Sequence, residues 1–117
     1  MDAIARFAEH VVATDYDDLP AAAVAAAKTL ILDSLGVGLV GSNGPWMAEL
    51  IASASLWGTG NEARVWTFGQ RLPAPAAALC NAYQIHNSEF DCIHEAAVVH
   101  PLTVVLAAVL AVAERQR

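Results

Sequence analysis

Between Pro20 and Gly41 the sequence reads PAAAVAAAKTLILDSLGVGLVG, with Lys28 and Asp33 its only charges. Alanine is the strongest helix former and gives little bulk to the face of a sheet. The stretch therefore predicts a helix from about Pro20 to Val40, with Val24, Ala27, Leu30, Ile31, Ser34, Leu35 and Gly38 along one side. Gly36, Gly38 and Gly41 would weaken an isolated helix. They are expected where another backbone comes close, with Gly41 or Asn43 ending the helix. Across the chain twenty-five residues are alanine and only 7% are aromatic, so the whole sequence favours closely packed helices over strands.

Four more helices follow from spacing and breakers. Ile4, Phe7, Ala8, Val11 and Val12 make an amphipathic helix of residues 1–14. The linker TDYDDLP then leads to Pro20, with Asp17 and Asp18 near the positive end of the next helix. After the stop signal SNGP, a third helix runs from Pro45 to about Trp57 and carries Trp46, Leu50, Ile51 and Ala54. The Gly-rich segment WGTGNEARVWTFGQRLP reads as irregular, with residues 63–68 extended. Pro73 and Pro75 open a fourth helix through Ala78, Leu79, Ala82 and Ile85 to about Phe90. A fifth, after Pro101, carries Leu102, Val105, Leu106, Val109 and Leu110. It reaches AERQR without a cap or breaker, as in a fragment of a longer chain.

Charge and cysteine content narrow the function. Twelve acidic against six basic residues give a net charge of −6, and no basic run is present, so nucleic acid is not an expected partner. Cys80 and Cys92 are too few for a disulfide scaffold and fit a reduced, cytoplasmic setting. The strictly apolar run of residues 104–113 is too short for a bilayer, and Asp33 interrupts the other apolar stretch, so no membrane association is expected. GTGNEAR lacks the third glycine and the strand–turn–helix setting of a dinucleotide fingerprint.

Against this background HNSEFDCIHEAAVVHP, residues 86–101, is unusual: three histidines, three carboxylates and a thiol in sixteen residues. If the fourth helix continues to about Phe90, Tyr83, His86 and Glu89 share a face, and a loop of residues 91–100 brings His94 and His100 back towards Glu89. A helix end and a returning loop can hold a carboxylate and an imidazole around a small ligand. Metal ligation by Cys92, His94 and His100 lacks paired short spacing, and HEAAV lacks the second histidine of H-E-x-x-H. A Cys92–His nucleophile has no evident base beside it. General acid–base chemistry asks least of the spacing. Structural roles compete at each position: His86 as a cap of the helix end, His94 and Glu95 as solvated loop residues, Asp91 as a turn cap, Cys92 as a small buried hydrophobe, His100 as the start of the last helix, and Cys80 and Tyr83 as core.

The stretches FAEHVVATDYDDLP, AAAKTLILDSLGVGLVGSNGP, LPAPAAALCNAYQIHNSEFDCIHEAAVVHP and VLAAVLAVAER resemble, in order, the N-terminal part of the MmgE/PrpD family. That family includes 2-methylcitrate dehydratase, cis-aconitate decarboxylase and iminodisuccinate epimerase. The resemblance implies an all-α fold, a bundle of about five helices in which residues 1–117 form the N-terminal part of the family's helical domain, the lid domain being absent. It implies a lyase or isomerase, working as a homodimer without a cofactor or metal. The reaction would move a proton next to a carboxylate of a small polycarboxylic acid, by dehydration, decarboxylation or epimerisation. The fragment alone would have little activity.

Position by position, the histidine of the family's HP pair falls on His100, the acid/base candidate. The first Asp of its DFDD motif falls on Glu89, and the third position is Asp91; both would organise the site. His94, the histidine of the D-x-H pattern, would contact substrate. Cys92 and Ile93 stand where the family has Asp and often Thr, which removes a carboxylate and a hydroxyl from the site's edge. The alternative from another class is a non-catalytic helical interaction or dimerisation module; a metal-binding domain is a third reading.

Overall fold

A computed structural model describes residues 2–117. Five helices account for most of it: α1 (Ala3–Ala13), α2 (Ala21–Gly41), α3 (Met47–Ala54), α4 (Ala74–His86) and α5 (Pro101–Arg115). The all-helical expectation holds, with a small addition. Residues 63–68 are not one extended segment: β1 (Ala63–Arg64) pairs antiparallel with β2 (Arg71–Leu72), and Thr67 and Gly69 turn the chain with positive φ.

Element ends differ from the sequence reading for local reasons. A single 3₁₀ turn, Tyr16–Asp18, fills the linker, and Asp18 accepts a hydrogen bond from the backbone N–H of Asp15 at 3.0 Å instead of serving α2. The third helix is shorter than expected because Trp46 adopts a left-handed conformation (φ 64°) just before it. The fourth stops at His86, four residues before Phe90, so Tyr83, His86 and Glu89 do not share a helical face. Met1, the expected start of the first helix, lies outside the described residues.

Helix α4 is the central rod. It packs against α2, α3, α5 and the hairpin, and Ala74, Ala76, Ala77, Cys80, Asn81, Gln84 and Ile85 are buried on it. Met47, Ile51 and Ala54 of α3, Ala63, Val65 and Leu72 of the hairpin region, and Ala111 of α5 join Ala77 and Cys80 in the core. Small side chains let the helices come close. A Cβ at Gly41 would overlap the carbonyl oxygen of Gln84, which is the close approach expected there. Gly36, by contrast, faces open space.

Polar groups fix the elements around this rod. Buried Asn81 accepts from the Trp66 N–H at 3.0 Å and donates to the Arg64 carbonyl at 2.8 Å, tying the hairpin to α4. Glu62 accepts from the Ala74 N–H at 2.9 Å, satisfying a free donor at the start of α4. The last turn of α5 is engaged too: Glu114 accepts from the Arg64 N–H at 3.0 Å and lies 3.6 Å from Arg71, while Arg115 lies 3.8 Å from Glu62.

Large apolar faces stay open. α1 buries none of its residues, and Ile4, Phe7, Val11 and Val12 are each more than two-thirds exposed. A groove of about 480 Å³ between α2 and α5 is lined by Ala27, Leu30, Ile31, Leu102, Val105 and Val109 among others. The buried residues of α5 are Thr103, Leu106, Ala107 and Ala111, of which Leu106 also lines this groove. By length and composition alone α2 would suffice to cross a bilayer, Asp33 notwithstanding; in this fold Ser34, Val37, Gly38 and Gly41 at its C-terminal end are buried.

Candidate active site

The end of α4, the following loop and the start of α5 meet at one buried carboxylate. His86 is the last residue of α4, Asp91 lies in the loop, His100 caps the N-terminus of α5 and Thr103 sits in its first turn. Asp91 Oδ1 is 3.0 Å from His86 Nδ1, and Oδ2 is 3.1 Å from His100 Nδ1. The Thr103 hydroxyl donates to Oδ2. The Asp91 side chain is 0% exposed, whereas those of His86 and His100 are 46% and 32% exposed. The two imidazoles stand edge to face, with ring centroids 4.9 Å apart and planes at 66°.

Local geometry explains why the loop returns here. Asn87, just past α4, donates its side-chain amide to the Gly41 carbonyl at 3.0 Å and the Pro45 carbonyl at 3.3 Å, fixing the end of α4 against the end of α2. Gly44 must lack a side chain for that amide to fit. Glu89 then turns the chain with φ 49°. His94 and Val99 form an antiparallel bridge, closing the loop into α5. Pro101 suits the first helical position.

The electrostatics favour an ionised carboxylate at Asp91. Burial pushes its pKa up, but the bonds from Thr103, His86 and the backbone and the charge of His100 outweigh burial and hold it below the usual value. Elsewhere, burial pushes the Cys80 thiol up, consistent with a core role.

Of the residues singled out in the sequence, Asp91 and His100 come together. Glu89 and His94 do not join them: Glu89 is exposed two residues before Asp91, and His94 is exposed with its Nδ1 accepting from the Ala97 N–H at 3.2 Å. Two participants were not anticipated. His86 read as a helix cap, since nothing in the spacing placed Asp91 beside it. Thr103 gave no signal, because its meaning depends on the loop folding back onto α5.

A His–Asp–His group also raises the question of a metal. The ligand atoms of His86, Asp91 and His100 all lie within 4.8 Å of one another. Two donors on one ion at about 2.0–2.2 Å can be no more than about 4.4 Å apart. Asp91 is hydrogen-bonded to His86 and Thr103 with His100 beside it, and the three donors are close to the span that one ion would require.

This helical architecture is a small all-α domain in which one buried carboxylate and two imidazoles meet at a helix–loop–helix return. The chain belongs to the MmgE/PrpD family: the profile of the MmgE/PrpD N-terminal domain matches residues 5–117. It is 35% identical over 98 residues to a cis-aconitate decarboxylase of Aspergillus terreus, covering 84% of this chain and 20% of that protein. It is 35% identical over 99 residues to the cis-aconitate decarboxylase-like protein oryM of Aspergillus oryzae, covering 85% of this chain and 20% of the relative. With a cis-aconitate decarboxylase of Mus musculus the identity is 32% over 88 residues, or 74% of this chain and 18% of that protein. The chain thus spans about a fifth of the length of the curated relatives it matches. No solved structure matches it.

Proposed function

We propose that this chain supplies the N-terminal part of the helical domain of a lyase or isomerase that moves a proton at carbon next to a carboxylate of a small polycarboxylic acid. The observation that carries this reading is the buried Asp91 carboxylate against the imidazole of His100, in a chain whose relatives are named as decarboxylases of cis-aconitate. His100 is the acid/base, because an imidazole can both take and give a proton near neutral pH. Asp91 orients it and stabilises the imidazolium formed when it accepts a proton. Glu89 and His94 on the exposed loop are placed to meet substrate or a further part of the protein. No cofactor is required, because developing enolate-like charge can be met by fixed donors and cations.

The chain's own cations are few, with six Lys and Arg in all. Residues outside this segment are therefore proposed to complete the substrate clamp. The open apolar faces of α1, α2 and α5 support a longer helical domain, and a homodimer, that would cover them. The test is turnover by the protein encoded by the complete reading frame, followed by ¹H NMR in D₂O with cis-aconitate and 2-methylcitrate. Loss of CO₂ or water, or deuterium uptake next to a carboxylate, supports the proposal. Absence of all three with a range of such acids overturns it.

The same open faces favour a second reading, a non-catalytic interaction or dimerisation module. In that case the isolated chain would associate in sedimentation experiments, and the complete protein would bind no polycarboxylate by calorimetry.

A further inference from the structure

The triad carries more than an orienting contact for one histidine. An ionised carboxylate can only accept hydrogen bonds, so a group bonded to it must supply the proton. His86 Nδ1, 3.0 Å from Oδ1, is therefore the protonated nitrogen of that ring. His100 Nδ1 is inaccessible to solvent and has no aligned hydrogen-bond partner, yet it lies 3.1 Å from Oδ2. At that distance the negative charge of Oδ2 favours a proton over a lone pair on Nδ1, although the ring does not point at the oxygen. Thr103 occupies the same oxygen from the first turn of α5 and limits how the carboxylate can rotate. Nδ1 of each ring lies beside the buried acid, and 46% and 32% of the two side chains remain exposed.

We propose that Asp91, pinned by Thr103, is a positioning residue that holds His86 and His100 together as Nδ1–H imidazoles, making His86 a second imidazole of the site and offering two adjacent Nε2 atoms to one small carboxylic acid. When one Nε2 is bare and the other protonated, the pair can take a proton from carbon and donate a hydrogen bond to a substrate carboxylate. The identity of the acid rests on the function proposed above; the tautomers do not.

Two experiments separate these layers. The first uses the 117-residue chain labelled with ¹⁵N-histidine, observed by long-range ¹H–¹⁵N correlation near pH 8, above the ordinary imidazole range of about 6.5. Both rings are expected as Nδ1–H. Asp91→Asn is expected to release both to the mixture seen in a free histidine. Thr103→Val is expected to release His100, and Thr103→Ser to retain it. An Nε2–H tautomer on either ring of the wild type, or unchanged tautomers in Thr103→Val, overturns the proposal. The threonine pair decides the matter even if Asp91→Asn fails to fold.

The second experiment uses the complete protein with cis-aconitate as probe. His86→Gln is expected to lower kcat by about 10-fold or more with KM within about 2-fold, as for loss of a proton-transfer partner. Full kcat in His86→Gln alongside an inactive His100→Ala would remove His86 from the site and leave the lyase reading standing. Correct tautomers in a wild type that turns over no such acid would overturn the lyase reading alone.

Discussion

The backbone of Gly41 on α2 lies against the carbonyl oxygen of Gln84 on α4, closely enough that a methyl group at position 41 would overlap it. This contact sets the end of α4 relative to α2, and His86 is carried on that same end. Gly41→Ala is expected to destabilise the chain by about 1–3 kcal/mol, the usual range for overpacking. Gly36→Ala, in open space on the same helix, is expected to stabilise by about 0.5–1 kcal/mol through backbone entropy. Urea unfolding followed by circular dichroism checks both, and shifts of the same sign would contradict the packing described.

Asn81 bridges the Trp66 N–H and the Arg64 carbonyl from a position 1% exposed. Asn81→Leu has nearly the same volume but leaves both backbone groups without partners. Each unsatisfied buried group costs about 1–3 kcal/mol, so the variant should lose at least about 2 kcal/mol. Amide hydrogen exchange at Trp66 should accelerate more than exchange within α5. A uniform change across the chain would argue against a local staple.

How much of this could be read beforehand depended on the range of the interaction. Helices were legible because alanine runs, proline starts and apolar spacing act locally. Which face of α5 turns inward was not, since Val105 and Val109 are as apolar as Leu106, and close packing against α4 selected Ala107 and Ala111. The hairpin escaped notice because each strand is two residues long. At the site, composition marks residues 86–100, and the resemblance of the HP pair to the family's motif marks His100. The carboxylate beside it is Asp91 rather than Glu89, because α4 ends at His86 and the left-handed turn at Glu89 leaves that side chain exposed. No spacing rule reports such a turn at a non-glycine residue.

The depressed pKa of Asp91 makes acid sensitivity predictable. In the unfolded chain the carboxyl returns to about 3.9. In the folded chain it is lower, because the Thr103, His86 and backbone bonds and the charge of His100 outweigh burial. Between the two values the unfolded state binds more protons, so stability rises with pH. The contribution is fully present above the unfolded value and is lost as pH falls through the folded one. Asp91→Asn should flatten this acid limb in pH-dependent urea midpoints. An unaltered acid limb would mean that the carboxyl is not held ionised by its neighbours.

The last prediction concerns which side chains the reaction depends on. His100 touches Asp91 through Nδ1 and keeps a ring edge 32% exposed, whereas Glu89 is exposed and makes no described hydrogen bond through its side chain. In the complete protein, His100→Ala should lower kcat by about 10²–10⁴-fold, the range for losing a general acid or base. Its effect on stability should stay small, because Thr103, His86 and the backbone would still satisfy Asp91. Glu89→Gln keeps the shape of the arm and removes only its charge. A loss in kcat/KM carried mostly by KM would identify Glu89 as a substrate contact, and a fall in kcat equal to that of His100→Ala would make it a partner in proton transfer. Thermal melts of both variants beside the turnover measurements distinguish chemistry from folding. A His100→Ala protein that melts normally and turns over at the wild-type rate would remove this imidazole from the reaction.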